Sequence, residues 1–196
     1  YETLLTNEEC ANAIDMGNFY RVPCDKRGLN YDKYFKYFDP DMYDPKQWAR
    51  DAKNAGMKYA VFTTKHHEGF CMFDSQYTDY KCTNTPAGRD LIKEYVDAFR
   101  AEGIRVGFYY SLIDWHHPEF PIDMLHPRRE DPDAYEQSKD RDMHKYAQYM
   151  RDQVTELLTN YGQIDYLFFD GGWFEDNLMP STPDWANKIA AIWRSK

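Results

Sequence analysis

The sequence predicts an α/β fold of the (β/α)8 barrel type, incomplete and with about four strand–helix units. Strand-like and helical segments alternate without hairpin turns, a pattern typical of parallel strands joined by crossover connections. Polar and aromatic residues follow each predicted strand, as they do at the mouth of a barrel. A closed barrel typically needs about 250 residues. The 196 residues of this chain are therefore assigned to one partial barrel domain, 1–196, with an open sheet as the alternative.

The first predicted unit is a helix followed by a strand. The helix begins at Asp44-Pro45, where an N-cap residue precedes a proline at the first helical position. Gly56 ends this helix, as glycine commonly does. The segment 57–65 is rich in β-forming residues and leads into a pair of histidines.

Two further units follow the same pattern. Apolar residues at helical spacing predict a second helix that closes at Gly103, followed by a strand over 104–111. A polar loop over 119–140 precedes a third helix, whose apolar stripe lies within 143–158. Outside these units, a strand is expected near 15–20, and a last helix is expected to begin at Ser181.

Asp170 ends the third strand-like run. The apolar segment 164–169 stops at Asp170, and Gly171, Gly172 and Trp173 follow. This order predicts a buried parallel strand that brings one carboxylate to the mouth of the barrel, where catalytic side chains lie. A carboxylate beside aromatic surface suits a sugar ring, which has polar edges and apolar faces. The alternative is that Asp170 only caps the following loop or helix.

Charge and composition exclude several classes of partner. The chain has 24 basic and 33 acidic residues, a net charge of −9, which disfavours nucleic acid as a partner. No apolar stretch has the length of a membrane span, so no membrane partner is expected. The chain is expected to be soluble, either cytoplasmic or exported with its leader removed. The four cysteines lack CxxC spacing and are expected to be reduced.

Histidine pairs follow two of the predicted strands. His66-His67 comes after the first, and His116-His117 comes after the second. Histidine binds zinc and iron, but adjacent residues on a strand point to opposite faces, so we predict no metal site. The imidazoles are instead expected to hydrogen-bond ligand hydroxyls, with a purely structural role as the alternative. Phosphate-binding and dinucleotide motifs are also missing from the sequence, so no cofactor is predicted.

Glycoside hydrolysis requires two carboxylates on either side of the scissile bond. Asp170 is the first candidate. Asp114, Glu68 and Glu175 all lie near strand ends and are candidates for the second. The spacing of these residues along the chain does not show which of the three is the second carboxylate.

Four segments carry a family resemblance: TKHHEGF (64–70), GFYYS (107–111), DWHHP (114–118) and FFDG (168–171). In this order they resemble the α-L-fucosidases of glycoside hydrolase family 29. The resemblance implies a retaining exo-hydrolase that acts on terminal α-L-fucose, so that a fucosylated glycan or glycoside is the expected substrate. It extends from about Gly17 to Gly171, most of the chain.

The resemblance also implies roles for individual residues. Asp170 corresponds to the nucleophile that forms the glycosyl-enzyme. His66 and His67 correspond to a pair that contacts the sugar hydroxyls. Tyr109 is assigned to the family's tyrosine near the nucleophile, and Tyr110 is the alternative.

Two aromatic residues complete the candidate substrate site. Phe168 takes a place that is often Trp in the family, and Trp115 follows the second strand.

The chain also departs from the family pattern. The first barrel strand, with a His-Trp-Gly context, has no counterpart, and Asn18-Phe19 stand where a Glu-Trp pair is expected. The family's general acid/base is expected to lie beyond Lys196. The chain alone is therefore expected to be weakly active or inactive, and to self-associate through open barrel edges. A non-catalytic carbohydrate-binding fragment and a metal-dependent barrel hydrolase are the alternative functions.

Overall fold

The computed structural model describes residues 35–122, 126–128 and 131–171. Within these ranges it contains four α-helices: α1 (Pro45–Asn54), α2 (Leu91–Ala101), α3 (Ala134–Lys139) and α4 (Met143–Thr159). The same ranges contain three strands: β1 (Tyr59–Lys65), β2 (Arg105–Ser111) and β3 (Tyr166–Asp170). None of the described helices is long and apolar enough to cross a membrane.

The three strands form one parallel sheet in the order β1-β2-β3. In the register of this sheet, Thr63 lies opposite Tyr109, and Tyr109 lies opposite Phe168. Ser111 at the end of β2 lies opposite Asp170 at the end of β3. The strand ends therefore meet at one edge of the sheet. The predicted α/β class with parallel strands and intervening helices is confirmed.

Side-chain caps begin the helices that cover the sheet. The carboxylates of Asp44, Asp90 and Asp142 accept hydrogen bonds from backbone N–H groups in the first turns of α1, α2 and α4. These bonds satisfy donors that a helix leaves unpaired at its start. The start of α1 at Pro45 is where the sequence predicts it.

The core lies on one face of the sheet. Val106, Phe108 and Tyr110 of β2 are completely buried against apolar residues of α2 and α4. The opposite face carries large exposed side chains, Tyr59, Val61, Tyr166 and Phe168. No described element covers this face, and it is the one from which the predicted barrel interior would be built.

The structure corrects two predictions about individual elements. β3 is only half-buried, because in the described residues it is an edge strand with one uncovered face. The predicted polar loop over 119–140 contains the short helix α3. The strand predicted near 15–20 and the helix predicted from Ser181 lie outside the described residues.

Candidate active site

The candidate site lies where the three strands end. His66 and His67 follow β1, Tyr109 is on β2, and Asp170 is the last residue of β3. One ligand-type atom from each of His66, His67 and Asp170 lies within 4.8 Å of the others. The parallel sheet thus brings together residues that are about a hundred positions apart along the chain.

Asp170 accepts hydrogen bonds at both carboxylate oxygens. The Tyr109 hydroxyl donates to Oδ2 at 2.6 Å, and the Gly171 N–H donates to Oδ1 at 2.7 Å. Burial, followed by the hydrogen bond to Asp170, raises the pKa of Tyr109, so its hydroxyl remains a donor. Charge-assisted bonds of this kind favour the ionised carboxylate.

The neighbouring tyrosine faces the other side of the sheet. Tyr110 is completely buried, and its hydroxyl donates to Gln153 Oε1 of α4 at 2.8 Å. Successive residues of a strand point to opposite faces. Tyr109 is therefore the tyrosine beside Asp170.

His67 is held through its Nδ1 atom, which lies 2.6 Å from Ser111 Oγ. The Ser111 hydroxyl donates to the Ile113 carbonyl at 2.7 Å and accepts from the Ile113 N–H at 3.0 Å. Because the single hydroxyl proton is used in that bond, His67 Nδ1–H is the donor and Nε2 is left as an acceptor. Burial, followed by the charge of His66, lowers the pKa of His67, which favours the neutral ring.

His66 has a different electrostatic environment. Its Nδ1 lies 3.5 Å from a Glu68 carboxylate oxygen, and the hydrogen bond to Glu68 is the main cause of its raised pKa. Its ring stacks on that of Tyr109, with centroids 5.6 Å apart and planes inclined by 12°. The site therefore places a ring that tends to be protonated beside one that tends to be neutral.

The prediction that His66 and His67 point to opposite faces is wrong. Their ring centroids are 4.1 Å apart. β1 ends at Lys65, so neither histidine belongs to the strand. A turn follows, in which the Gly69 N–H bonds to the His66 carbonyl and Gly69 has a φ of +82°. Both imidazoles can therefore face one ligand or ion together with Asp170.

The two candidate aromatic residues flank this cluster. Phe168 is 43% exposed, and its ring centroid lies 5.6 Å from that of Tyr109. The Trp115 ring centroid lies 5.3 Å from that of His67, and the backbone N–H of Trp115 donates to the His67 carbonyl at 2.7 Å. All six sequence-predicted site residues thus lie in one neighbourhood.

The candidate second carboxylates have different surroundings. Asp114 is buried in an ion pair with Lys65. Glu68 contacts His66, and Glu175 lies outside the described residues. Sequence reasoning did not identify Ser111, although its spacing of two from Tyr109 places both residues on the same face of β2.

The arrangement suits a ligand rich in hydroxyl groups. A hydrogen-bonded carboxylate and two imidazoles, one of them a neutral acceptor, bring ligand-type atoms within 4.8 Å of one another, and aromatic rings lie beside them. Such a site can orient a polar ring and place a nucleophilic oxygen against it.

A sequence model of the family described as Alpha-L-fucosidase matches residues 8–196. The chain belongs to the α-L-fucosidase family. The resemblance seen in the four sequence segments is confirmed, and the match extends over nearly the whole chain.

Relatives of this α-L-fucosidase family member include plant and animal proteins. It is 31% identical to alpha-L-fucosidase 1 of Arabidopsis thaliana over 137 residues, which cover 68% of this chain and 23% of the relative. It is 37% identical to the human tissue alpha-L-fucosidase over 97 residues, which cover 49% of this chain and 21% of the relative. The chain thus spans less than a quarter of the length of these relatives.

Solved structures of α-L-fucosidases are also similar. Isoenzyme 1 from Paenibacillus thiaminolyticus has 54% sequence identity and a TM-score of 0.75, over 90% of this chain and 40% of that chain. A Bacteroides thetaiotaomicron enzyme, trapped as a covalent intermediate with 2-fluoro-fucosyl fluoride, has 35% identity and a TM-score of 0.64. That match covers 81% of this chain and 33% of the other.

Proposed function

We propose that this protein is a retaining exo-glycosidase that hydrolyses terminal α-L-fucose from glycans or glycoconjugates. The observation that carries the proposal is the convergence of His66, His67 and Asp170 within 4.8 Å, with Tyr109 bonded to Asp170. The family membership supports fucose as the sugar.

Asp170 serves as the nucleophile. One of its oxygens attacks the anomeric carbon, the bond from that carbon to the leaving oxygen breaks, and the leaving oxygen takes a proton from a general acid outside the described residues. Water then attacks the glycosyl-enzyme ester, gives up a proton to the same group, and releases fucose and free Asp170. The Tyr109 hydroxyl keeps the carboxylate ionised and oriented before the attack.

The remaining residues bind the sugar. Nε2 of His67 accepts a hydrogen bond from one hydroxyl, and His66 bonds to a neighbouring hydroxyl. Phe168 and Trp115 provide apolar surface for the C–H faces of the ring. The similarity to complete fucosidase structures supports residues 1–196 as part of a (β/α)8 catalytic barrel, with the uncovered face of the sheet turned to its interior.

The test is hydrolysis of an aryl α-L-fucoside by the full-length protein. Asp170→Asn is expected to lower kcat by roughly 10³-fold or more, which corresponds to about 4 kcal/mol of transition-state stabilisation. Asp165→Asn is the matched control, because Asp165 precedes the same strand and accepts the Val106 N–H, a bond that an amide oxygen can retain.

Mass spectrometry after treatment with 2-fluoro-fucosyl fluoride provides a second readout. One fucosyl adduct is expected, on the peptide that contains Asp170. An adduct on another carboxylate, or full activity in Asp170→Asn, would contradict the assignment of the nucleophile.

A metal-dependent hydrolase is the second candidate function, favoured by the same three side chains, since two imidazoles and a carboxylate also form zinc sites. Chelator treatment separates the two. The glycosidase is expected to keep its activity in EDTA, whereas the metal enzyme loses activity and regains it with Zn²⁺. A non-catalytic carbohydrate-binding protein would bind L-fucose equally well in Asp170→Asn and hydrolyse nothing.

A further inference from the structure

Lys65 and Asp114 form a fully enclosed ion pair. Nζ of Lys65 lies 2.8 Å from Oδ2 of Asp114, and the two side chains are 0% and 1% exposed. Burial by itself lowers the pKa of Lys65, but the Asp114 carboxylate raises it, and the net shift is upward. The ammonium lies over three tyrosine rings, at centroid distances of 4.5 Å for Tyr110, 5.3 Å for Tyr149 and 5.8 Å for Tyr146.

Each partner of this ion pair is the chain neighbour of a candidate site residue. Lys65 immediately precedes His66, and Asp114 immediately precedes Trp115. The backbone N–H of Trp115 in turn donates to the His67 carbonyl at 2.7 Å. The ion pair is therefore within two residues of the backbone bond that joins the turns after β1 and β2.

The second oxygen of Asp114 organises both turns. Oδ1 accepts the N–H groups of His116 at 3.1 Å and His117 at 2.9 Å. A Cβ atom at Gly69 would lie 2.3 Å from the same oxygen, so only glycine allows the turn after β1 to approach so closely. One carboxylate thus contacts the turns after both strands.

We propose that Lys65 and Asp114 are positioning residues, which hold His66 and His67 at the distance from Asp170 that the reaction requires. Neither side chain is accessible to substrate, so both act through the backbone of the turns. A buried ion pair adds little net stability compared with well-packed apolar residues. What it supplies is a directional side-chain link between two turns that are otherwise joined by the backbone bond from Trp115 to His67. The kinetic consequence of this inference rests on the proposed function.

Lys65→Met in the full-length protein is the first test. It removes the charge and leaves a side chain of similar length, and kcat/KM for an aryl α-L-fucoside is expected to fall about 10²-fold, as for a displacement of about 1 Å in an active site. Val154→Ala, in the core on α4, is the destabilised control. It is expected to lower Tm while leaving kcat/KM at 25 °C unchanged.

A double variant separates positioning from stability. Lys65→Met with Asp114→Asn removes both charges and keeps an amide oxygen for the two N–H groups. Its Tm is expected to exceed that of Lys65→Met, because no buried charge remains unpaired, while its kcat/KM stays low. The proposal would be overturned if kcat/KM fell in proportion to Tm in Lys65→Met, Val154→Ala and the double variant alike. It would also be overturned if Lys65→Met kept the kcat/KM of the wild type.

Gly69→Ala keeps both charges and tests the same link if the Lys65 variants do not fold. The added methyl group would lie 2.3 Å from Asp114 Oδ1 and 2.8 Å from His116 Cβ, so the two turns must shift apart, and kcat/KM is expected to fall. The imidazole NMR resonances of His67 give a readout that needs no catalysis. They are expected to shift in Gly69→Ala and to remain in place in Val154→Ala. A wild-type protein that hydrolyses no fucoside disproves the proposed function, whereas unshifted His67 resonances in Gly69→Ala disprove the positioning role.

Discussion

At the scale of single residues, two adjacent histidines acquire opposite electrostatic character. His66 bonds to a carboxylate, while His67 is more buried and bonds to a serine hydroxyl. Two identical side chains next to each other in sequence thus have pKa values shifted in opposite directions. The environment, not the residue type, shifts one ring towards the protonated form and the other towards the neutral form.

We predict that His66 titrates at a higher pH than His67, in the order that their environments impose. Glu68→Gln removes the carboxylate that favours protonated His66, so the pKa of His66 should fall and its charge should be lost at a lower pH. Titration followed by imidazole NMR measures both rings.

Glu136→Gln is the matched control for that titration, because Glu136 pairs with Lys139 on α3. It should leave both histidine titrations unchanged. An unchanged pKa of His66 in Glu68→Gln would show that a group other than Glu68 stabilises the protonated ring.

At the scale of elements, a buried amide joins α4 to the sheet. Gln153 Oε1 accepts the Tyr110 hydroxyl at 2.8 Å, and Nε2 donates to Ser75 Oγ at 3.1 Å and to Cys71 Sγ at 3.2 Å. All four residues are buried. Because α4, β2 and the segment after β1 meet at this one amide, its loss removes a hydrogen-bond partner from buried polar groups on β2 and in the segment after β1.

Gln153→Met should therefore destabilise the protein. Methionine has nearly the same volume, so the main change is loss of hydrogen bonds to buried groups, with a cost of about 1–3 kcal/mol in the free energy of unfolding. Gln148→Met on the same helix is the matched control, since Gln148 is exposed and should change stability by less than about 0.5 kcal/mol. Urea unfolding measures the free energy of unfolding of both variants. Equal values for Gln153→Met and Gln148→Met would contradict the role of the amide.

The elements were more predictable from the sequence than the details of the site. Asp44 and Gly56 mark the ends of α1 through local backbone chemistry, so its limits could be read from neighbouring residues. The relative orientation of His66 and His67 could not, because it depends on where β1 stops pairing with β2. The ion pair between Lys65 and Asp114 joins residues 49 positions apart, and nothing in the local pattern of either residue indicates the other.

At the scale of the whole molecule, the two faces of the sheet differ. One is covered by helices, and the other exposes Tyr59 by 65%, Tyr166 by 50% and Val61 by 40%. These side chains border a groove of about 600 Å³. A contiguous apolar surface of this kind usually becomes buried against another surface. In a complete barrel the remaining strands would cover it.

We therefore expect the 196-residue chain to self-associate through this face. Sedimentation velocity should show a mass that increases with concentration. The combined change Tyr59→Lys and Tyr166→Lys should reduce association, because it places charges on the contact surface. Met42→Lys is the control, since Met42 is 86% exposed and lies outside the sheet. A chain that stays monomeric at all concentrations, or equal association in all variants, would show that this face is not the contact surface.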